Sequence, residues 1–249
     1  MSAVGPVLVN RVALVVGGAG GIGAAIAEAF CVEGATVVVA DRSAKAAQEA
    51  AQAVGAAGSV ALDVTAQASV DAAVQEVLAA HGRIDILVNS AGILTEAPLI
   101  EMSLEQWQQT IDIDLTGIFL ACRAVVPHMV ARGQGRVINI ASQLGIKGGR
   151  GLTHYSAAKA GVLGLTKALA LEVAEHGVLV NAIAPGPVHT ALLAGISEEW
   201  KAAKKEELPL GRFGVPREIT PTAVLLASDP GGNLYVGQTL GPNSGDVMP

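Results

Sequence analysis

The sequence predicts an α/β domain, a buried parallel sheet with helices on both faces. Three observations predict it. Short apolar runs rich in Val and Ile recur along the chain, unbroken rather than alternating, as in strands covered on both sides. Stretches with helical spacing separate these runs, the rhythm that parallel pairing requires. Glycines and polar residues gather where the runs end, at Gly17, Asp41, Asn89, Ser142 and Pro185. Those are the carboxyl ends at which open parallel sheets hold ligands.

Composition bounds the function. A chain of 249 residues suits one domain, 1–249, with one sizeable core. Apolar residues make up 51% and charged residues 15%, with a mean hydropathy of +0.49. No run of about 18 uninterrupted apolar residues occurs, which argues against a membrane span. The surplus apolar surface is read as burial between subunits, or else as an Ala/Val/Gly-rich core. A net charge of −6 is no footprint for nucleic acid. Cys31 and Cys122 have neither CxxC spacing nor a His partner and read as small core residues. Residues 1–10 carry no secretory pattern, so the cytoplasm is the default expectation.

The first strand, 11–16, runs directly into Gly17-Gly18-Ala19-Gly20-Gly21-Ile22-Gly23. A helix over 24–33 and a strand over 36–40 follow, closed by Asp41. Glycines let a backbone approach a pyrophosphate, and a helix N-terminus offers it free N–H groups. Asp41 would accept from the adenosine ribose, although alone it reads as a strand-end turn residue. Its charge repels a 2′-phosphate, which favours NAD over NADP, while Arg42 leaves some room for one. A helix over 43–54 and a strand over 60–62 lead to Asp63 and Val64. These sit near the adenine edge if the sheet is parallel, or cap the helix at 68–81. A strand over 84–88 exits through Asn89-Ser90-Ala91-Gly92. Residues 101–130 hold two helical stretches, with Asp114 on the face of Trp107 and Ile111.

The strand at 137–141 delivers Ser142, and a helix over 154–174 opens with Tyr155 and Lys159. Four residues apart, the phenol and the ammonium share one helical face. The cation favours the phenolate and eases proton transfer through Tyr155 near neutral pH. Ser142 can offer a hydroxyl to the same substrate oxygen. This is chemistry for a carbonyl/alcohol pair and needs a hydride partner. A strand over 178–183 ends in Ala184-Pro185-Gly186-Pro187. The amphipathic segment at 189–208 reads as a substrate-covering lid within 187–210, or as a rigid peripheral helix pair. A helix over 216–227 and a short strand at 239–240 precede a tail, 241–249, expected to be extended at a subunit interface.

Together these residues resemble the short-chain dehydrogenase/reductase family over essentially the whole chain. Gly17-xxx-Gly21-x-Gly23 is similar to its cofactor loop, and Asn89-Ser90-Ala91-Gly92 to its fourth-strand motif. Ser142 with Tyr155-xxx-Lys159 is similar to its catalytic set, and Pro185-Gly186 to its nicotinamide-side loop. The resemblance implies a Rossmann-type doubly wound sheet of about seven strands, assembled as a homotetramer. It implies reversible hydride exchange with NAD(P), with Tyr155 as general acid/base and Ser142 orienting the substrate oxygen. Lys159 would hold the nicotinamide ribose, and Val188 and Thr190 would lie beside the nicotinamide. Three departures stand out. Val16 replaces the family's Thr, Ser90 its second Asn, and Asp114 the Asn that completes the catalytic set. Asp114 keeps an acceptor and pulls the Lys159 pKa upward.

The expected substrate pocket is walled by Gln143, Leu144, Gly148, Gly149, His154, Pro187, Leu192, Leu193 and Trp200, and no metal is expected. The residues favour an NAD-dependent oxidation or reduction of a small secondary alcohol or ketone. Two alternatives remain: a 3-oxoacyl-[acyl-carrier-protein] reductase, and a catalytically weak NAD-binding sensor or scaffold. The carrier-bound reading ranks below the free substrate. Of the basic pair that such enzymes present to an acidic carrier, Arg132 is present and the second position is Leu171.

Overall fold

The computed structural model describes residues 5–248, so residues 1–4 and 249 of the expected single domain lie outside the described residues. Seven strands form one parallel sheet: β1 (Val12–Val16), β2 (Thr36–Asp41), β3 (Gly58–Ala61), β4 (Ile86–Asn89), β5 (Gly135–Ile140), β6 (Val178–Ile183) and β7 (Thr239–Leu240). Their spatial order is β3-β2-β1-β4-β5-β6-β7, with every neighbouring pair parallel. The doubly wound architecture is as expected. The order reverses between β1 and β4, which opens a crevice at their carboxyl ends.

The helices are α1 (Gly21–Val32), α2 (Ala44–Val54), α3 (Gln67–His81), α4 (Leu104–Ile111), α5 (Gly117–Arg132), α6 (Leu144–Lys147), α7 (Thr153–Val173), α8 (Glu198–Glu207) and α9 (Thr220–Ala227). Two cores flank the sheet. One packs Val70, Val74 and Val77 of α3, Cys122, Val125 and Met129 of α5 and Val162 of α7 against Leu14, Leu87 and Val137. The other packs Ile26 and Phe30 of α1, Ala47 of α2 and Leu226 of α9 against Val15, Val39 and Ile138. Because successive strand side chains alternate in direction, each strand serves both cores, and the sequence shows unbroken apolar runs.

Between α4 and α5 the chain makes a π turn at Asp112–Thr116. The two helices thus read as one run, Leu104–Arg132, long and apolar enough by composition to cross a membrane; half of its most apolar window is buried within the domain. At the amino ends of the strands, Asp85 is 1% exposed. It accepts from the Val12 N–H (2.8 Å) and pairs with Arg132 (2.9 Å) and Arg83 (3.0 Å). Arg132 is therefore tied at the end of the sheet opposite the crevice, and Leu171 is 83% exposed.

Candidate active site

A cleft of about 400 Å³ runs along the carboxyl ends of the strands. At one end it is lined by Asp41, Arg42, Asp63 and Val64. Gly17, Gly21 and Ile22 line its middle, and Ser142, Tyr155 and Lys159 its other end. Pro185, Gly186, Val188 and Thr190 close one side. Sequence positions spread from 17 to 190 thus meet because every strand points the same way.

The glycine loop has the geometry of a cradle. Gly17 adopts φ +74, and a Cβ there would sit 2.4 Å from the Ala91 nitrogen. Gly20 faces open space, whereas a Cβ on Gly23 would strike the Gly17 carbonyl at 2.2 Å. Gly23 is thus outside the cleft wall and lets α1 pack close beneath the loop. α1 begins without a side-chain cap, so its first N–H groups face outward. Asp41 folds back, accepting from the Ala19 and Ser43 N–H groups at 3.4 Å. The Asp63 carboxylate accepts from the Thr65 N–H (2.9 Å) and hydroxyl (2.7 Å), which hold its pKa below the ordinary value. The same cleft has the glycine loop in its wall and Tyr155 and Lys159 at one end.

Tyr155, Lys159 and Asp114 meet at the reactive end, all nearly excluded from solvent. Lys159 Nζ lies 5.6 Å from the Tyr155 ring centre, donates to the Ile140 carbonyl (3.1 Å) and stands 3.2 Å from Asp114 Oδ2. The other Asp114 oxygen accepts from the Ile93 N–H at 2.9 Å. The π turn swings Asp114 inward, so it is a buried partner of Lys159 and not a surface residue. Burial opposes the Lys159 charge, but the Asp114 carboxylate and the Tyr155 phenol together hold the ammonium above its ordinary pKa. The Tyr155 phenol departs from expectation. Burial raises its pKa above the usual value, Lys159 pulls down, and Asp114 pushes back up. Ser142 donates to the Gln143 side chain (2.8 Å) and accepts from the Leu144 N–H (3.1 Å).

Besides Gly23, four expected site residues, Asn89, Gly148, Gly149 and His154, are not part of the wall. Asn89 braces the strands, donating to Asn139 Oδ1 at 2.8 Å, with Cys122 Sγ at 3.5 Å. Cys122 is fully buried and its thiol is pushed up to about 12 by burial. His154 is buried against Thr95 (3.0 Å), because its place at the start of α7 turns it inward. Gly149 packs under Leu144 and Leu152. Gln143, Leu144, Pro187, Leu192, Leu193 and Trp200 do line the cleft, joined by Leu94, which sequence spacing had not singled out as a wall. The tail returns to its own chain: the Asp246 side chain, 1% exposed, holds Lys147 and Lys204 at 2.8 Å.

The family profile described as Enoyl-(Acyl carrier protein) reductase matches residues 17–245. The 3-oxoacyl-[acyl-carrier-protein] reductase FabG of Thermotoga maritima is 38% identical over 245 residues, 97% of this chain and 99% of its own. That of Chlamydia trachomatis is 41% identical over 243 residues, 96% and 98% of the two chains. Among solved structures, a 3-ketoacyl-(acyl-carrier-protein) reductase from Brucella melitensis complexed with NADH superimposes with a TM-score of 0.91 at 31% identity, covering 96% of this chain and 99% of that one. A candidate NAD(P)-dependent gluconate 5-dehydrogenase from Beutenbergia cavernae, with NADP at low occupancy, gives 0.91 at 38% identity, covering 97% and 99%. Two expectations fall. Full-length relatives that are carrier-protein reductases overturn the ranking of a free small alcohol or ketone above a carrier-bound substrate. Neighbours holding NADP in one case and NADH in another remove the preference for NAD drawn from Asp41.

Proposed function

Because the chain belongs to the short-chain dehydrogenase/reductase family, NAD(P)-dependent oxidoreductases of the carbonyl/CH–OH pair, we propose that it reduces the 3-oxo group of an acyl thioester carried on acyl-carrier protein. The observation that carries this is relatedness of 38–41% over nearly the whole chain to reductases of that substrate, together with the convergence of Ser142, Tyr155 and Lys159 on one cleft.

The cleft's chemistry agrees with this reading. Bound nicotinamide would supply the hydride. The Gly17–Gly21 loop and the start of α1 receive the pyrophosphate, Asp41 the adenosine ribose, and Asp63 and Val64 the adenine edge. Pro185, Gly186, Val188 and Thr190 flank the nicotinamide. Lys159 has three N–H donors; two face Ile140 and Asp114, which leaves one for a ribose hydroxyl. Ser142 turns its hydroxyl from Gln143 to the substrate oxygen. As the carbonyl carbon takes up hydride, Tyr155 gives its phenolic proton to that oxygen, and the phenolate is reprotonated from solvent. Charge developing on oxygen is met by the Tyr155 and Ser142 hydroxyls in a water-poor site. Leu94, Leu144, Leu192, Leu193 and Trp200 form an apolar wall for the acyl chain.

Two further parts belong to this reading. Residues 187–210 cover the substrate, with Leu192 and Trp200 as their inner face. Exposed Leu104, Phe119, Leu171 and Leu234 are the contact surface for further copies in a homotetramer. Light scattering that gives the mass of one chain would remove the second part. For the activity, oxidation of NADH and NADPH is followed with acetoacetyl thioesters. Turnover is expected, falling about 10²–10⁴-fold in Tyr155→Phe. No turnover of any 3-oxoacyl thioester with either nucleotide would overturn the proposal.

A further inference from the structure

The reactive end of the cleft holds a carboxylate where two donors converge. The Ile93 N–H reaches one Asp114 oxygen at 2.9 Å and the Lys159 ammonium stands 3.2 Å from the other. An amide in that place would satisfy one donor and turn its own NH₂ toward the second. Gly92 leaves the room: a Cβ there would lie 2.9 Å from Asp114 Oδ2. The carboxylate is thus accommodated by three separate elements, the π turn, the exit of β4 and α7. It shares a solvent-excluded space with Lys159, the one cation among the described residues that faces Tyr155.

We propose that Asp114 is a positioning residue that offsets part of the Lys159 charge, so that buried Tyr155 keeps its proton through the neutral range and the site is poised to reduce carbonyls rather than to oxidise alcohols. The charge count is short. Tyr155 is faced by Lys159 and Asp114, Lys159 by Asp114 and Tyr155, and Asp114 by Lys159 and His154. The β5 end adds the Ile140 carbonyl and the Ser142 hydroxyl, and the loop after β4 adds the Ile93 N–H. His154 carries no charge near pH 7, because burial lowers its pKa. Burial raises the Asp114 pKa, and the Lys159 ammonium at 3.2 Å and the Ile93 N–H at 2.9 Å work against that rise, so the cation that would stabilise a phenolate is answered by the carboxylate paired on its other side. A site of that kind gives a proton readily and accepts one poorly. The inference rests on the proposed activity only for the identity of the carbonyl.

The chain has two tyrosines, Tyr155 and Tyr235. In a Tyr235→Phe background, phenolate absorbance without nucleotide reports Tyr155 alone. Its midpoint is expected above that of free tyrosine, about 10. Asp114→Asn, which strips the charge, is expected to move the midpoint about one pH unit lower. A Tyr155 midpoint below 10 in the Asp114-containing protein overturns the proposal, even if the Asn variant does not fold. So does an unchanged or higher midpoint in a folded variant. Kinetics give a second reading: thioester reduction holds level through neutrality, and oxidation of the hydroxyacyl product climbs only in alkali, at lower pH in Asp114→Asn. Oxidation already maximal at neutral pH also counts against it. Failure of the thioester assay leaves the absorbance titration intact, so the two readings fail separately.

Discussion

Ser142, Tyr155 and Lys159 show how much of a site single residues can announce. A phenol and an amine four apart at the start of a helix, after a hydroxyl at a strand end, are visible as spacing alone, and the structure brings all three to one cleft. What spacing hides is which neighbours reach them. The Asp114 carboxylate beside Lys159 was legible as a residue but not as a buried one, because hydrophobic periodicity does not register an extra residue in a turn. Glycines are legible as a run, yet only their surroundings separate the indispensable from the incidental. Gly17→Ala would combine a left-handed backbone with a Cβ driven into Ala91. Calorimetric titration with NADH or NADPH should show binding lost or weakened at least tenfold, with a stability cost of about 1–3 kcal/mol. Gly164→Ala on α7, off the cleft wall and with open space at its Cβ, should leave nucleotide binding unchanged, and equal losses at both positions would contradict this account.

Among the elements, α8 is held in part by charge distant in the sequence. Lys204, 5% exposed on α8, and Lys147, at the end of α6, both grip Asp246 of the tail. Sequence separations of 99 and 42 residues made this clamp invisible, since each member alone looks like ordinary surface charge. Burial works against the Asp246 charge, but hydrogen bonds from Lys147 and Lys204 prevail and hold its carboxyl below the ordinary range. A lowered acid contributes stability at neutral pH and loses it as pH falls through the lowered value, so the clamp should survive acidification past about pH 4. Asp246→Asn should leave the sheet folded while raising proteolytic cleavage within 187–210 and the KM for thioester. Unchanged cleavage would show that α8 is held by its apolar contacts alone. The capping box at Ser103 and Gln106 and the Ser43 cap were, by contrast, written in local sequence.

At the scale of the molecule, the parallel sheet was readable because both faces are covered: strands such as Val12–Val16 are buried at every position and admit no polar alternation. Its chemistry sits wholly at the carboxyl ends, while the Asp85 cluster with Arg83 and Arg132 ties the other end together. The cleft lies where the winding reverses, between β1 and β4. A nucleotide laid across that seam would touch both halves of the sheet at once and bind the native state alone. By mass action it should then raise the free energy of unfolding by about 2.7 kcal/mol at a hundredfold excess over its dissociation constant. Heating the protein with NADH and with NADPH at equal concentration should accordingly raise its melting temperature, and the larger rise identifies the nucleotide it holds more tightly.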